Sequence, residues 1–450
     1  MDIHFIRKNL DFVKENQKKR FKDEILIDEI MELDTQWKTL VFENDNLKGI
    51  KNRLSLSFKN ASKNQSVSID FDEDLIQKLR TKLLAVESLT KEQLIFISKK
   101  IGEVIEGNES KLETLLKSRD EKISGVANVI NEKVIISNDE MDNEIIEVVN
   151  NENVCTSTNN NTKKTGLLTH NELLERLGFV NYDQGLKICG NRGYFLTNFG
   201  VKLNMALLRY ALDFMSKKAF ELMDTPHFVN AEIMGKITQL SDYEETLYKI
   251  DGKDKFLIAT SEQSITASFC NITLNKNYLP IKICGKSCCY RKETGAHGKK
   301  TTGLYRVHQF EKIEQFCLTE KKNSWQMFSE MLNNAKEFYD SLGISYRIVS
   351  IVSGQLNNSA SMKYDLEGFF RGSNTYCELV SCTNCLDYFS NRINTKYGMN
   401  EYVHMLNCTL CANTRTLCCL AEAYQTEGGM IIPKVLRPYL DNIENVNFTR

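Results

Sequence analysis

The sequence predicts an α+β protein in which a long helical hairpin precedes a larger domain of alternating strands and helices. A heptad pattern of apolar residues runs through the first part of the chain. From Gly166 onward, short β-rich runs bounded by glycines alternate with amphipathic helices. The 450-residue chain contains only 4 prolines, which favours long uninterrupted helices.

The first helix of the hairpin is predicted from apolar residues at alternating spacings of three and four. Its a and d positions are Ile30, Leu33, Trp37, Leu40, Asn44, Leu47, Lys51, Leu54 and Phe58. Seven of these nine are apolar, which is typical of a coiled coil. A second helix is predicted to begin at Thr90, because Thr90 to Gln93 fits a capping box. Its seam is Leu94, Ile97 or Ser98, Ile101, Ile105, Asn108, Leu112 and Leu115.

The register of the hairpin is predicted from its polar seam residues. If the helices pair antiparallel with residue numbers that add up to about 152, apolar seam residues face each other and Asn44 faces Asn108. A polar pair at such a position fixes the register at some cost in stability.

A basic stretch lies near the far end of the hairpin, in a chain that otherwise balances 58 basic against 59 acidic residues. Between Asn46 and Ile69 there is no acidic residue, and the basic ones are Lys48, Lys51, Arg53, Lys59 and Lys63. One interpretation is contact with RNA phosphates. The other is a solvated helix end and loop.

Composition divides the chain into a helical arm at 1–137, a connector at 138–165 rich in Asn, Ser and Thr, and a mixed domain at 166–450. No window approaches the roughly 18 apolar residues of a membrane span, so no membrane partner is expected. The N-terminus resembles neither a signal nor a transit peptide. The 14 cysteines are therefore predicted to be free thiols in a reducing cytoplasm.

The segment Ser287–Phe316 concentrates chemically useful residues. Its β-like flanks, Cys288–Glu293 and Tyr305–Phe316, enclose a loop with three glycines, which predicts a long hairpin with a mobile basic tip. Arg291 on a strand suits binding of a phosphate or carboxylate, and Phe310 offers a face for a base to stack on. A cross-strand salt bridge and a core aromatic are the ordinary alternatives.

A series of short motifs runs along nearly the whole chain. The motifs are Phe21–Asp23, Gly193–Leu196 with the helix leading to Pro226, Ala259–Gln263, Tyr290–Glu293 with Arg306–Glu314, Tyr364–Glu367, Glu378–Cys382, Leu406–Thr409, Thr414–Thr416 and Pro433–Tyr439. Together and in this order they resemble the seryl-tRNA synthetases, a family of class II aminoacyl-tRNA synthetases, in their eukaryotic cytosolic form. The resemblance implies an antiparallel coiled-coil arm on a catalytic domain built around an antiparallel sheet.

The resemblance also implies a reaction and its partners. ATP and Mg²⁺ would activate L-serine, and the serine would pass to the 3′ end of tRNA-Ser and also of selenocysteine tRNA. The arm would recognise the long variable arm of the tRNA, and the chain would form a homodimer through the segment from Gly193 to Pro226, which resembles motif 1 of the family.

The resemblance assigns roles to individual residues. Serine would be bound by Thr260, Glu262, Arg291, Glu314, Asn407 and Thr409. ATP would be bound by Arg291, Lys292, Glu293, Arg306, Val307, His308, Gln309, Phe310, Glu378, Leu379, Val380, Ser381 and Arg415, with Phe310 stacked on the adenine. Glu378 and Ser381 would carry Mg²⁺. The tRNA would be contacted by Lys48, Lys51, Arg53, Lys59 and Lys63.

Two departures from the family pattern keep alternatives open. Cys377 stands where the family often has Arg, and Cys408 replaces a usual Gly or Ala. One alternative is a catalytically weak paralogue that acts as a coiled-coil RNA-binding protein. The other is an aminoacyl ligase for a carrier other than tRNA.

Four cysteines have a spacing close to that of a zinc ribbon. Cys382, Cys385, Cys408 and Cys411 give the spacing C-x2-C-x22-C-x2-C. The alternative is that they are small buried side chains on active-site strands. A ribbon explains none of the neighbouring motif residues, so no structural zinc is expected.

Overall fold

A computed structural model describes residues 1–58, 69–151, 166–238, 246–294 and 303–449. Contacts divide the chain into two compact units. The helical unit comprises 3–14 and 23–126, and the mixed unit comprises 1–2, 15–22 and the chain from 127 onward. The sequence placed the end of the arm at 137, whereas the contact boundary falls at Val126. The reason is that 127–137 bonds to the mixed unit: Asn128 N–H donates to the Asn358 carbonyl at 2.8 Å.

The helical unit is built largely from α1 to α5. Their bounds are α1 Ile3–Lys8, α2 Leu10–Lys19, α3 Ile25–Ser57, α4 Glu73–Arg80 and α5 Lys91–Ser124. Thr90 caps α5, because its hydroxyl accepts from Gln93 N–H while the Gln93 side chain accepts from Thr90 N–H. The predicted start of the second helix is therefore confirmed. The helix α4, which Asp72 caps, was not predicted.

The register of the hairpin is confirmed. Asn108 Nδ2 donates to Asn44 Oδ1 at 3.5 Å, so the two seam asparagines face each other as predicted. The seam departs from the prediction in part, because Asp34 and Ile50 are buried and their neighbours Leu33 and Lys51 only half-buried. A helix of 3.6 residues per turn drifts relative to a strict heptad, which exchanges neighbouring positions along a long seam.

An eight-stranded sheet forms the centre of the mixed unit. Its strands are β1 Glu144–Val149, β2 Glu221–Asp224, β3 Ile281–Tyr290, β4 Gln309–Thr319, β5 Tyr346–Ser350, β6 Met362–Phe370, β7 Thr375–Asn384 and β8 His404–Ala412. They lie in the order β1-β5-β6-β7-β8-β4-β3-β2, and only β2 and β3 pair parallel. The predicted α+β class with an antiparallel catalytic sheet is confirmed.

Helices cover the sheet and bury its core. They are α6 His170–Arg176, α7 Tyr182–Cys189, α8 Phe199–Ser216, α9 Ala231–Ile237, α10 Ser261–Ser268, α11 Ser324–Ser341, α12 Tyr388–Ile393 and α13 Asn413–Tyr424. Within the core, α11 packs on β7 and β8, α13 on β6, and α8 on β4. None of the described helices combines the length and apolar character needed to cross a membrane.

Among the described residues, short strands form four smaller sheets around this core. They are Val180–Asn181, Phe195–Leu196, Phe228–Asn230, Lys255–Leu257, Thr273–Leu274, Lys396–Tyr397, Glu401–Tyr402, Gln425–Thr426, Gly429–Ile431 and Asn445–Asn447.

The predicted connector and the predicted hairpin each contain strands of the central sheet. The connector predicted at 138–165 contains the edge strand β1, which pairs antiparallel with β5, because Ile145, Ile146 and Val148 favour extended backbone. The rest of that connector, 152–165, lies outside the described residues. The hairpin predicted around Ser287–Phe316 is confirmed as β3 and β4, and most of its tip, 295–302, also lies outside them.

Candidate active site

A polar cavity of about 340 Å³ lies among β3, β4, β7 and β8 and the start of α13. Most of the predicted serine and ATP residues line it together. They are Thr260, Glu262, Arg291, Glu293, Arg306, Val307, Phe310, Glu314, Glu378, Leu379, Ser381, Asn407, Thr409 and Arg415. Residues more than 150 positions apart thus meet at one site.

Two β-bulges direct the strands that line the cavity. In β7 the register against β6 passes from Val380 to Glu378, so Leu379 is an extra residue. In a regular strand, side chains three residues apart point to opposite faces. The bulge breaks this alternation, and both Glu378 and Ser381 line the cavity. A second bulge at Leu410 in β8 occurs close to the same site.

One end of the cavity, the carboxylate nest, contains the buried Glu314 and the half-buried Glu262 beside Thr260, Lys312 and Asn407. Asn407 Nδ2 donates to Glu262 Oε1 at 2.8 Å. Lys312 Nζ donates to Thr260 Oγ1 at 2.8 Å and forms an ion pair with Glu314. Burial and the nearby Glu314 carboxylate raise the pKa of Glu262 to about 7. This end suits a small ligand that carries a positive charge and a hydroxyl.

The other end carries an ion pair that suits phosphate. Arg415 Nη1 lies 3.3 Å from Glu378 Oε1, and the Arg415 guanidinium lies 4.9 Å from the centre of the Tyr305 ring. Burial opposes ionisation of Glu378, but the positive charges of Arg415, Lys363 and Arg291 outweigh it and lower its pKa to about 2. Glu378 is therefore an ionised carboxylate at neutral pH.

Arg291 and Phe310 face the same cavity. Arg291 Nε donates to the Ala259 carbonyl at 3.2 Å, and its guanidinium lies 5.1 Å from the centre of the Phe310 ring. Glu293 forms an ion pair with Arg306 and lies 3.6 Å from Arg192. Glu293 thus combines the salt bridge of the ordinary alternative with a position in the cavity wall. Phe310 likewise packs against the hydrophobic core and lines the cavity.

Four predicted ATP residues do not line the cavity. Val380 is fully buried in the hydrophobic core, and Lys292 N–H donates to the Thr246 carbonyl. His308 Nδ1 lies 3.2 Å from the Tyr248 hydroxyl, and the Gln309 carbonyl accepts from the Tyr194 hydroxyl. Their place in ATP binding stays a prediction from the motif.

The predicted tRNA residues lie in α3 where they are described. Lys48 forms an ion pair with Glu109 at 2.8 Å, and Arg53 donates to the Leu79 carbonyl at 2.6 Å. Lys51 is half-buried. Lys59 and Lys63 lie outside the described residues.

Several residues of the cavity wall were not predicted. They are Tyr305, Lys312, Gln355, Asn357, Lys363, Thr383, Ala412 and Thr414. The alternation of β4 could have revealed Lys312, because Phe310, Lys312 and Glu314 share one face of that strand. No pattern in the sequence indicated Lys363, because it lies on β6, about 50 residues after β4 in the chain. Its Nζ lies 3.4 Å from Asp365 Oδ2.

The four cysteines of the ribbon-like spacing are buried in the mixed unit. Cys382 and Cys408 face each other across β7 and β8, and Cys408 Sγ approaches the Met331 carbonyl at 3.7 Å. Cys411 Sγ approaches Thr416 Oγ1 at 3.6 Å. Among the described residues, no group of three or more His, Cys, Asp or Glu side chains is arranged to hold a metal ion.

Comparison with known proteins identifies relatives for the whole chain. Residues 1–94 match the family of the seryl-tRNA synthetase N-terminal domain, and residues 246–424 match the tRNA synthetase class II core domain (G, H, P, S and T). A cytoplasmic serine–tRNA ligase from Dictyostelium discoideum is 41% identical over 96% of this chain and 91% of its own.

Two solved structures share the fold over their full length. The cytoplasmic serine–tRNA ligase from Naegleria fowleri in complex with AMP has a TM-score of 0.87 and 40% identity, and covers 100% of this chain and 99% of its own. The seryl-tRNA synthetase from Pyrococcus horikoshii complexed with ATP has a TM-score of 0.85 and 31% identity, and covers 100% of both chains.

Proposed function

Because this chain belongs to the seryl-tRNA synthetase family and is a serine–tRNA ligase, we propose that its 340 Å³ cavity is where serine is activated with ATP. The observation that carries the proposal is that one cavity contains both the carboxylate nest and three cations near Glu378, which are Arg291, Lys363 and Arg415. The ATP and AMP named in the two similar solved structures support nucleotide binding here.

The first step needs no protein nucleophile. A carboxylate oxygen of serine attacks the α-phosphorus of ATP, the bond to the pyrophosphate oxygen breaks, and pyrophosphate leaves with its electrons. Alignment and charge stabilisation supply most of the acceleration of such transfers. Arg291 would bridge the serine carboxylate and the α-phosphate, and Arg415 would neutralise the terminal phosphates.

The second step transfers the activated serine. The 3′-terminal hydroxyl of the tRNA attacks the carbonyl carbon of the mixed anhydride, and AMP leaves as the ester bond forms. The carboxylate nest fits the serine ammonium, while Asn407 and Thr409 supply hydrogen-bonding groups for its hydroxyl. A site that hydrogen-bonds a hydroxyl rejects the analogue without it, because its buried polar groups would lose their partner.

Glu378 and Ser381 are the residues that would hold Mg²⁺. Mg²⁺ in nucleotide sites uses one or two carboxylates, nucleotide phosphates and water. An ionised Glu378 beside a serine hydroxyl fits that donor set, since the phosphates complete it. The ion would neutralise phosphate charge, and Arg291 and Arg415 would orient the same groups.

We propose tRNA-Ser as the acceptor, recognised by the helical unit, with Lys48, Lys51, Arg53, Lys59 and Lys63 on the phosphates. Selenocysteine tRNA would be a second acceptor. The described basic residues lie on α3, whose seam with α5 gives them a rigid support. The cytoplasm is the proposed location, in line with the names of the relatives.

We propose a homodimer through the segment from Gly193 to Pro226. Exposed apolar side chains cluster in that part of the sequence, among them Phe195, Met205 and Leu222 at 40%, 65% and 45% exposure. Burial of such side chains between two copies stabilises association. A solution mass of twice 51.8 kDa at micromolar concentration is expected.

The direct test is serylation of purified tRNA. The full chain, with ATP, Mg²⁺ and labelled serine, should produce acid-precipitable seryl-tRNA-Ser and none with a tRNA that has a short variable arm. Equal charging of both tRNAs would contradict recognition through the long variable arm. Activation of serine without transfer to tRNA-Ser would contradict the proposed acceptor.

A further inference from the structure

The loop at 353–361, between β5 and β6, forms part of the cavity wall. Its side chains Gln355 and Asn357 line the 340 Å³ cavity. Asn357 also lines an adjoining cavity of about 240 Å³, which shares Thr260, Glu262 and Arg291 with the first. The loop therefore lies at the end of the site where the serine is proposed to bind.

A buried arginine holds the main chain of this loop. Arg20 is 1% exposed, and its guanidinium donates to the Asn357 carbonyl at 3.2 Å and to the Ala360 carbonyl. Burial lowers the pKa of Arg20 to about 10, which leaves it charged at neutral pH. A buried charge is costly unless it is hydrogen-bonded, and Arg20 Nε finds no partner among the described residues. The fold therefore depends on the two carbonyls that accept from its other nitrogens.

Other bonds fix the same loop from neighbouring residues. Ser353 Oγ donates to the Lys19 carbonyl at 2.6 Å, and Asn128 Nδ2 donates to the Ser359 carbonyl at 2.8 Å. Lys19 and Arg20 belong to the segment that leads into the helical unit, and Asn128 follows directly after that unit ends at Val126. Both chain segments that flank the helical unit thus hold one loop of the cavity.

We propose that Arg20 is a positioning residue for serine activation, which acts by holding the main chain of the 353–361 loop so that Gln355 and Asn357 stay in the cavity wall. The proposal rests on the proposed function of that cavity. Arg20 contacts none of the reacting groups, so its loss acts on serine binding. The rate of the chemical step at saturating serine is then little changed.

The test is serine-dependent ATP–pyrophosphate exchange with Arg20→Met and Arg20→Lys. The Met variant should raise the KM for serine at least about tenfold, since small displacements of positioning groups cost that much. Its kcat should change less than about twofold. The Lys variant keeps the charge and one donor for the carbonyls, so its KM should lie between those of wild type and the Met variant.

Arg119→Met is the matched control, because Arg119 is 6% exposed and lies in the helical unit, 3.0 Å from Asp34. It should lower thermal stability and leave the KM for serine unchanged. If the Arg20 variants lower stability with an unchanged KM, Arg20 is only structural and the proposal is overturned. If Arg20→Met does not fold, the KM of Arg20→Lys decides. A wild-type chain without serine-dependent exchange would instead refute the proposed function.

Discussion

The helical unit and the mixed unit arrange their polar residues in opposite ways. In the helical unit, buried polar groups pair with one another: Asn44 with Asn108, and Asp34 with Arg7 and Arg119. In the cavity, the carboxylates of Glu262 and Glu314 lie close together beside Lys312, and burial raises the pKa of Glu262 to about 7. Burial also raises the pKa of Asp365, which neighbours the cavity residue Lys363, to about 7. Strained electrostatics of this kind mark sites that bind or react, whereas satisfied pairs specify a fold.

This contrast implies that the two units have separate functions, which mutations can test. Changes in the cavity should alter the activation of serine and leave folding intact. Changes in the helical unit should alter stability or the transfer to tRNA and leave activation intact. The four predictions below run from the largest expected effect on activity to the smallest.

Arg291→Ala should reduce the rate of ATP–pyrophosphate exchange at least about 1,000-fold, because the loss of one preorganised donor at a developing charge costs roughly 100- to 1,000-fold and Arg291 would serve two ligands. The thermal midpoint should stay within a few degrees of wild type. Exchange at near wild-type rates would refute the role assigned to Arg291.

Replacing Leu47–Ile105 with a short Gly/Ser linker should reduce charging of tRNA-Ser at least about 100-fold, since several phosphate contacts are lost together. Pyrophosphate exchange should remain at the wild-type rate, which also serves as the folding control. Charging that survives the deletion would mean that the helical unit does not read the tRNA.

The KM for serine should fall as pH rises from 6 to 8, by up to about tenfold. Glu262 has a pKa raised to about 7, so it is mostly protonated at pH 6 and mostly ionised at pH 8, where it attracts the serine ammonium. Glu262→Gln should remove this dependence, and Asp365→Asn should keep it. If Asp365→Asn and not Glu262→Gln removes the pH dependence of the KM, the titrating group is Asp365 and the role assigned to Glu262 is wrong.

Asn44→Cys combined with Asn108→Cys should form a disulfide under mild oxidation and leave pyrophosphate exchange unchanged. The two side chains already meet at 3.5 Å, and a crosslink across the hairpin stabilises by about 2–4 kcal/mol. Asn44→Cys with Leu112→Cys, one turn away, is the control and should crosslink poorly. Efficient crosslinking of the control would show that the register slides.

The sequence predicted the helical unit more completely than the mixed unit. A single repeat governs the helical unit, so one asparagine pair and one capping box were enough to place α3 against α5. Neighbours along that seam follow from helix geometry alone. The prediction departed from the structure where the heptad drifts, at Asp34 and Ile50, and it missed α4, which lies outside the repeat.

In the mixed unit, the motif residues were predictable but their supports were not. Because of the bulge at Leu379, Glu378 and Ser381 both line the cavity while Val380 is buried in the core. The local sequence contains no pattern that predicts this bulge. Lys363 and Asn357 reach the cavity only through strand pairing and loop closure between distant segments. Such contacts depend on tertiary structure that residue spacing does not encode.

Serine-dependent ATP–pyrophosphate exchange tests the central claim most directly, with alanine and threonine measured beside serine on the full chain with Mg²⁺. The account predicts strong exchange with serine and at least about 100-fold weaker exchange with alanine, which leaves the polar groups of the nest unpaired. Folded protein that shows no exchange with any of the three amino acids would contradict it and would favour the RNA-binding paralogue.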